Sequence, residues 1–159
     1  MRYRFRVQPD RTALRLDDYL PYRLSVAANE VSRLVARAYE DRFGLTIPQW
    51  RIIANLAEHG PSTPQQLGQL AAMDKVTVSR ASRGLLARGL SRRVENGKDG
   101  RSHILALTDE GVTLYDAIAP LALAFERALI DDWSTEDVER LHAQLTSLQH
   151  KAARLAGLG

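Results

Sequence analysis

Apolar residues recur at steps of three and four along most of the chain, which predicts a mainly helical fold. From Leu16 to Phe43 they fall at Leu20, Leu24, Ala27, Val31, Leu34, Val35, Ala38 and Phe43. Asp17 and Asp18 suit a helix N-terminus, Pro21 fits a first turn, and Gly44 is the expected stop. One helix of about 22–26 residues, roughly 33–39 Å long, is expected here. That length suits an element crossing two lobes or a subunit interface. Thr46 and Pro48 then open a helix to His59, with Trp50, Ile53, Leu56 and Ala57 on its apolar face and Gly60-Pro61 beyond it. A shorter helix begins at Ser62-Thr63-Pro64 and ends at Leu70, and Asp74 caps another that starts at Lys75. Gly89 is its expected C-terminal glycine. Leu90–Val94 and His103–Leu107 read as strands around a tip containing Asn96-Gly97 and Asp99-Gly100. Thr108-Asp109-Glu110 starts a helix reaching Leu129, with a kink expected at Pro120. Ser134 starts the last one, with Val138, Leu141, Leu145, Leu148 and Leu155 at helical steps. At the N-terminus Arg2 to Val7 alternates Arg with apolar residues, the pattern of an extended arm that packs on a partner, lacks fixed structure, or touches DNA.

Charge singles out one part of this pattern. Between residues 75 and 103 eight basic side chains stand against Glu95 and Asp99, a local charge of +6 in a chain whose net charge is +3. Two short helices, the second basic, followed by a basic hairpin, form a helix-turn-helix pattern with a nucleic-acid-facing surface. In the second helix Val78, Ala81 and Leu85 share one face, while Lys75, Thr77, Ser79, Arg80 and Arg83 lie away from it. Short hydroxyls suit close contact with bases or phosphates, and Arg can donate two hydrogen bonds to guanine O6 and N7. Arg101, beside the hairpin tip, can enter a minor groove, with Asp99 holding its guanidinium in direction. Residues 109 to 141 instead carry nine acids against Arg127 and Arg140, so that lobe should sit away from phosphate.

Composition removes other chemistry. The chain has 159 residues, 45% of them apolar and 26% charged, enough for one core or for two lobes sharing one. With no cysteine there are no disulfides, no Cys-ligated zinc and no thiol-based peroxide sensing. No signal peptide and no membrane span are visible, and a cytoplasmic protein is expected.

The pieces from Leu67 onward resemble the winged helix-turn-helix regulators of the multiple-antibiotic-resistance regulator (MarR) family. The resemblance lies in Leu67 to Leu70, in Asp74-Lys75-Val76-Thr77-Val78-Ser79-Arg80, in Leu85, Gly89 and Leu90, in Asp99-Gly100-Arg101 at the wing, and in Leu107-Thr108-Asp109-Glu110-Gly111. It covers nearly the whole chain. It implies a winged helix-turn-helix lobe at residues 46–108 and a helical dimerisation region at 1–45 and 109–159. It also implies a homodimer on double-stranded DNA with a pseudo-palindromic operator, acting usually as a repressor. A small effector, often an aromatic acid or a related phenolic compound, would release it; an aromatic acyl-CoA is a further candidate for an arginine-rich site. Carried over by position, Lys75, Thr77, Ser79 and Arg80 face the major groove, with Arg83 added from the helix face alone, and Arg101 is held at the wing by Asp99. Tyr22, Arg23, Trp50 and Arg51 are the candidate effector residues, by stacking and by pairing a carboxylate; for Trp50 a core position is the competing reading. Three departures from the family pattern are Ser82 where an apolar residue is usual, Gly84 inside the recognition helix, and Asp-Gly-Arg in place of Asp-Arg-Arg at the wing.

Other classes have less to stand on. No HExxH, GxSxG, P-loop or dinucleotide fingerprint is present, so an enzyme is not expected. Glu139 and His142, three apart, and His150 on the same helix are the residues a metal sensor would use, but surface histidines are the plainer reading and neither metal nor cofactor is expected. A sequence-indifferent architectural protein would share the basic surface but show little difference between specific and non-specific affinity.

Overall fold

The computed structural model describes residues 14–95 and 103–157. The N-terminal arm and the wing residues Asp99 and Arg101 lie outside the described residues. A 3-10 turn at Leu16–Asp18 leads into α1 (Leu20–Ala36) and a single-turn α2 (Glu40–Phe43). Then come α3 (Ile47–His59), α4 (Pro64–Leu70), α5 (Lys75–Ala87), strands β1 (Ser91–Glu95) and β2 (His103–Leu107), and the long helices α6 (Asp109–Leu129) and α7 (Thr135–Leu155).

The single long N-terminal helix expected from the periodicity is broken. After Leu34 the backbone tightens: Arg37, Ala38 and Tyr39 donate three residues back, to Leu34, Val35 and Ala36, at 2.9–3.2 Å. The break turns Ala36, Ala38 and Tyr39 inward, and all three are buried. Burial of Tyr39 in the core is what the interruption achieves, at the loss of one continuous helix.

Local chemistry places the remaining helix starts where the sequence puts them. At α3 the Thr46 N–H donates to Gln49 Oε1 (2.9 Å) and the Gln49 N–H donates back to Thr46 Oγ1 (3.4 Å), a reciprocal cap. Thr63 and Gln66 repeat it at α4, at 2.8 and 3.2 Å. Thr108 and Ser134 cap α6 and α7. Helix α6 runs through Pro120 as one element.

The core lies where α3 meets α5, α6 and the strands. Ile52, Ile53 and Leu56 of α3 pack with Leu67 of α4, Val78, Ala81 and Leu85 of α5, Leu105 of β2 and Ile118 of α6. Strands β1 and β2 pair antiparallel, Ser91 with Leu107 through Glu95 with His103. On the other edge of β2, Ser62 and Leu105 exchange backbone hydrogen bonds of 3.0 and 2.9 Å, so the loop before α4 extends the sheet. Helix α7 buries none of its residues within the chain.

Candidate nucleic-acid interface

The interface is built on α4, the turn after it, and α5. The turn closes through Met73 N–H to the Gly68 carbonyl at 2.9 Å, and places Ala72 at φ 51°, in the left-handed region. Gly68 lies close against the turn: a β-carbon there would sit 3.1 Å from the Met73 carbonyl oxygen. Asp74 then caps α5. Its carboxylate accepts from the Thr77 N–H (2.9 Å) and from the Thr77 hydroxyl (2.7 Å). The Thr77 backbone bond, followed by the hydroxyl bond, holds the Asp74 carboxyl below the usual carboxylate range.

Along α5 the buried stripe is Val78, Ala81 and Leu85. Lys75, Ser79, Arg80 and Arg83 are exposed on the rest of the helix. Thr77 differs from them, because it is half-buried and its hydroxyl hydrogen is committed to Asp74. Gly84 has a visible reason: a β-carbon would fall 2.4 Å from the side-chain nitrogen of Gln49, whose amide oxygen is already engaged in the α3 cap. Ser82 is half-buried and its hydroxyl has no partner, in keeping with a position that usually holds an apolar side chain.

The far end of α5 is anchored at two places. Gly89, at φ 68°, ends the helix, with Gly89 N–H to Leu86 (3.1 Å) and Leu90 N–H to Leu85 (3.0 Å), while Leu85 and Leu90 are both buried. The Thr108 hydroxyl donates to the Gly89 carbonyl at 2.7 Å, tying this end to the start of α6. The Arg88 guanidinium also forks onto two carbonyls, Nη2 to Phe43 at 2.7 Å and Nη1 to Gly44 at 2.9 Å. Arg88 belongs to the basic stretch that the charge count singles out, but only geometry shows that its guanidinium already has acceptors within the chain.

The four candidate effector residues are not gathered within one chain. Trp50 stacks on Tyr39 (centroids 5.5 Å apart) and on Tyr115 (5.8 Å), an aromatic column joining α3 to the α1–α2 turn and to α6. Burial, then the nearby Glu40 carboxylate, pushes the Tyr39 hydroxyl up to about 12, against the opposing pull of Arg51. Arg51 meets α1 at Ser32, Nη2 to Oγ 3.3 Å. Tyr22 and Arg23 are exposed near the other end of α1, about 14 Å away along its axis at about 1.5 Å per residue. Glu139, His142 and His150 are exposed on α7, and among the described residues no three acids or histidines come together as a metal site.

A short helix, a tight turn, an exposed basic helix with a buried apolar stripe and a two-stranded wing define a winged helix-turn-helix protein. Comparison with known proteins gives the family. The sequence profile of the MarR family matches residues 43–102. The uncharacterised HTH-type transcriptional regulator YwoH of Bacillus subtilis is 31% identical over 114 residues, 70% of this chain and 82% of that one. The HTH-type transcriptional repressor NicR of Pseudomonas putida is 30% identical over 115 residues, 66% of this chain and 71% of NicR. A solved probable transcriptional regulator from Pseudomonas aeruginosa aligns with a TM-score of 0.73 and 32% identity, covering 84% of this chain and 99% of that one. The chain belongs to the MarR family of DNA-binding transcriptional regulators, which are not enzymes. Among the described residues no helix is long and apolar enough to cross a membrane.

Proposed function

We propose that the chain is a homodimeric repressor that reads a pseudo-palindromic operator in double-stranded DNA and is released by a small effector. The observation that carries the DNA-reading part is the division of α5. Its Asp74-capped start and its Lys75, Ser79, Arg80 and Arg83 face solvent, while Val78, Ala81 and Leu85 anchor it to the core. Lys75 and Ser79 suit phosphate or close base contact, and Arg80 and Arg83 suit guanine. Asp99 and Arg101 remain the proposed wing contact. Such a protein works where the DNA is, in the cytoplasm of a bacterial cell.

Two apolar seams support the dimer. Leu20, Leu24, Ala27 and Val31 on α1, and Leu141, Leu145, Ala152 and Leu155 on α7, are spaced by threes, fours and their sums, and all are exposed in the isolated chain. Exposed apolar surface of this extent marks an interface. We therefore assign 1–45 and 109–159 to dimerisation and 46–108 to DNA. Two recognition helices would enter successive major grooves about 10 base pairs apart. The likeness to NicR supports repression. For the effector, an aromatic acid or its acyl-CoA, Arg51 is the group suited to the carboxylate. Trp50 already stacks on two tyrosines, so its part is to carry movement between α3 and α6. Tyr22 and Arg23 belong to the same site only if a second copy brings them near. An effector shifts DNA binding by the difference in its affinity for the two arrangements of the lobes.

The test is selection from a random duplex pool at two salt concentrations, with the mass of the complex determined in parallel. An enriched inverted repeat bound by two copies is expected. Binding without an enriched motif would replace the operator reading with an architectural one, and a single copy on each site would remove the dimer.

A further inference from the structure

We propose that Arg88 is a positioning residue for operator recognition: its fork onto the Phe43 and Gly44 carbonyls fixes the direction in which α5 presents its DNA-facing half. The inference rests on the reading of α5 as the recognition helix. The carbonyls that close a helix have no donor within it. Arg88 supplies donors to two of them at 2.7 and 2.9 Å, across 45 and 44 residues of sequence. Gly44, itself at φ 62°, ends α2, and Leu45 behind it is buried, so the acceptors sit on a rigid corner. Arg88 is the C-terminal cap residue of α5. The Thr108 hydroxyl bond to Gly89 and the Thr108 N–H bond to Leu90 tie that end to the start of α6. A planar guanidinium held by two separate carbonyls ties the same end to a second element, the corner after α2. Arg88 is exposed, yet unlike a side chain offered only to phosphate it already donates to two carbonyls of its own chain.

The experiment compares Arg88→Gln and Arg88→Lys with the unaltered chain on the selected operator, as a function of salt, alongside hydrogen exchange without DNA. Exchange at residues 43–46 and 86–90 should quicken in both variants. Operator affinity should fall about tenfold in Arg88→Gln with the salt slope unchanged. Arg88→Lys should recover only part of it, since an ammonium does not reproduce the fork. A phosphate contact predicts otherwise: the slope would drop by about two for a dimer at about 0.9 per phosphate, and Lys would substitute well. That pattern would overturn the proposal. So would quickened exchange with unchanged affinity, which would leave a structural clamp only, and so would unchanged exchange. An unaltered chain that binds no duplex would remove the recognition-helix reading itself, while exchange would still judge the clamp.

Discussion

Gly111 lies against the Leu90 carbonyl so closely that a β-carbon on it would come within 2.0 Å of that oxygen. The obstacle is backbone, just past the end of α5, and the same carbonyl accepts the Thr108 N–H at 3.2 Å. Gly111→Ala should therefore destabilise the fold by about 1–3 kcal/mol or more, as overpacking does. Urea unfolding checks this. A loss below about 0.5 kcal/mol would show that α6 can slide away from the Leu90 carbonyl freely.

Ala72 holds a left-handed conformation at φ 51° and is exposed. Such a conformation costs a side-chain-bearing residue about 1–2 kcal/mol, and glycine adds about 0.4–1 kcal/mol of unfolded-state entropy. Ala72→Gly should thus stabilise the protein by about 0.5–1 kcal/mol. A lower melting temperature would mean that the methyl group contributes packing that outweighs the strain.

The α5 cap is ionised and should respond to acid. The folded Asp74 carboxyl is held below its ordinary range by Thr77, so its contribution is present above the unfolded value and is lost as pH falls through the folded one. The amide resonance of Thr77 should titrate with a midpoint below about 3.9, the ordinary aspartate value. Asp74→Asn should abolish that titration. A midpoint at or above the ordinary value would contradict the two Thr77 bonds.

Arg80 and Thr77 should behave differently although both lie off the buried stripe. Arg80→Ala should cost about 1–3 kcal/mol on the operator and relax preference at one position in each half-site. Thr77→Val, which removes the hydroxyl bonded to Asp74, should weaken binding evenly across sequences. Sequence selection with each variant distinguishes them, and equal loss on all sequences for Arg80→Ala would reassign it to phosphate.

Most of the helix starts, the turn between α4 and α5 and both strands were legible because their signals are local: a Thr just ahead of a Pro, an Asp before a basic helix, a Gly after its end. The break at residues 37–39 was not. No Gly or Pro marks it, and the apolar steps run through Leu34, Val35 and Ala38 without interruption. Its cause is the tertiary burial of Tyr39 beside Trp50. The Arg88 fork was hidden for a similar reason, since its acceptors are backbone atoms more than forty residues away. Thr77 was legible as polar, but its partner Asp74 decides what its hydroxyl does.

Helix α7 buries no residue in its own chain, so in the proposed dimer its order becomes a matter of mass action. If a second copy closes its seam, dilution removes the surface that holds the helix in place, and the melting temperature should climb with protein concentration. The same coupling would act in a cell. Scarce copies would be partly undone as well as unpaired, so the abundance of the regulator would itself set how much of it is competent to occupy DNA.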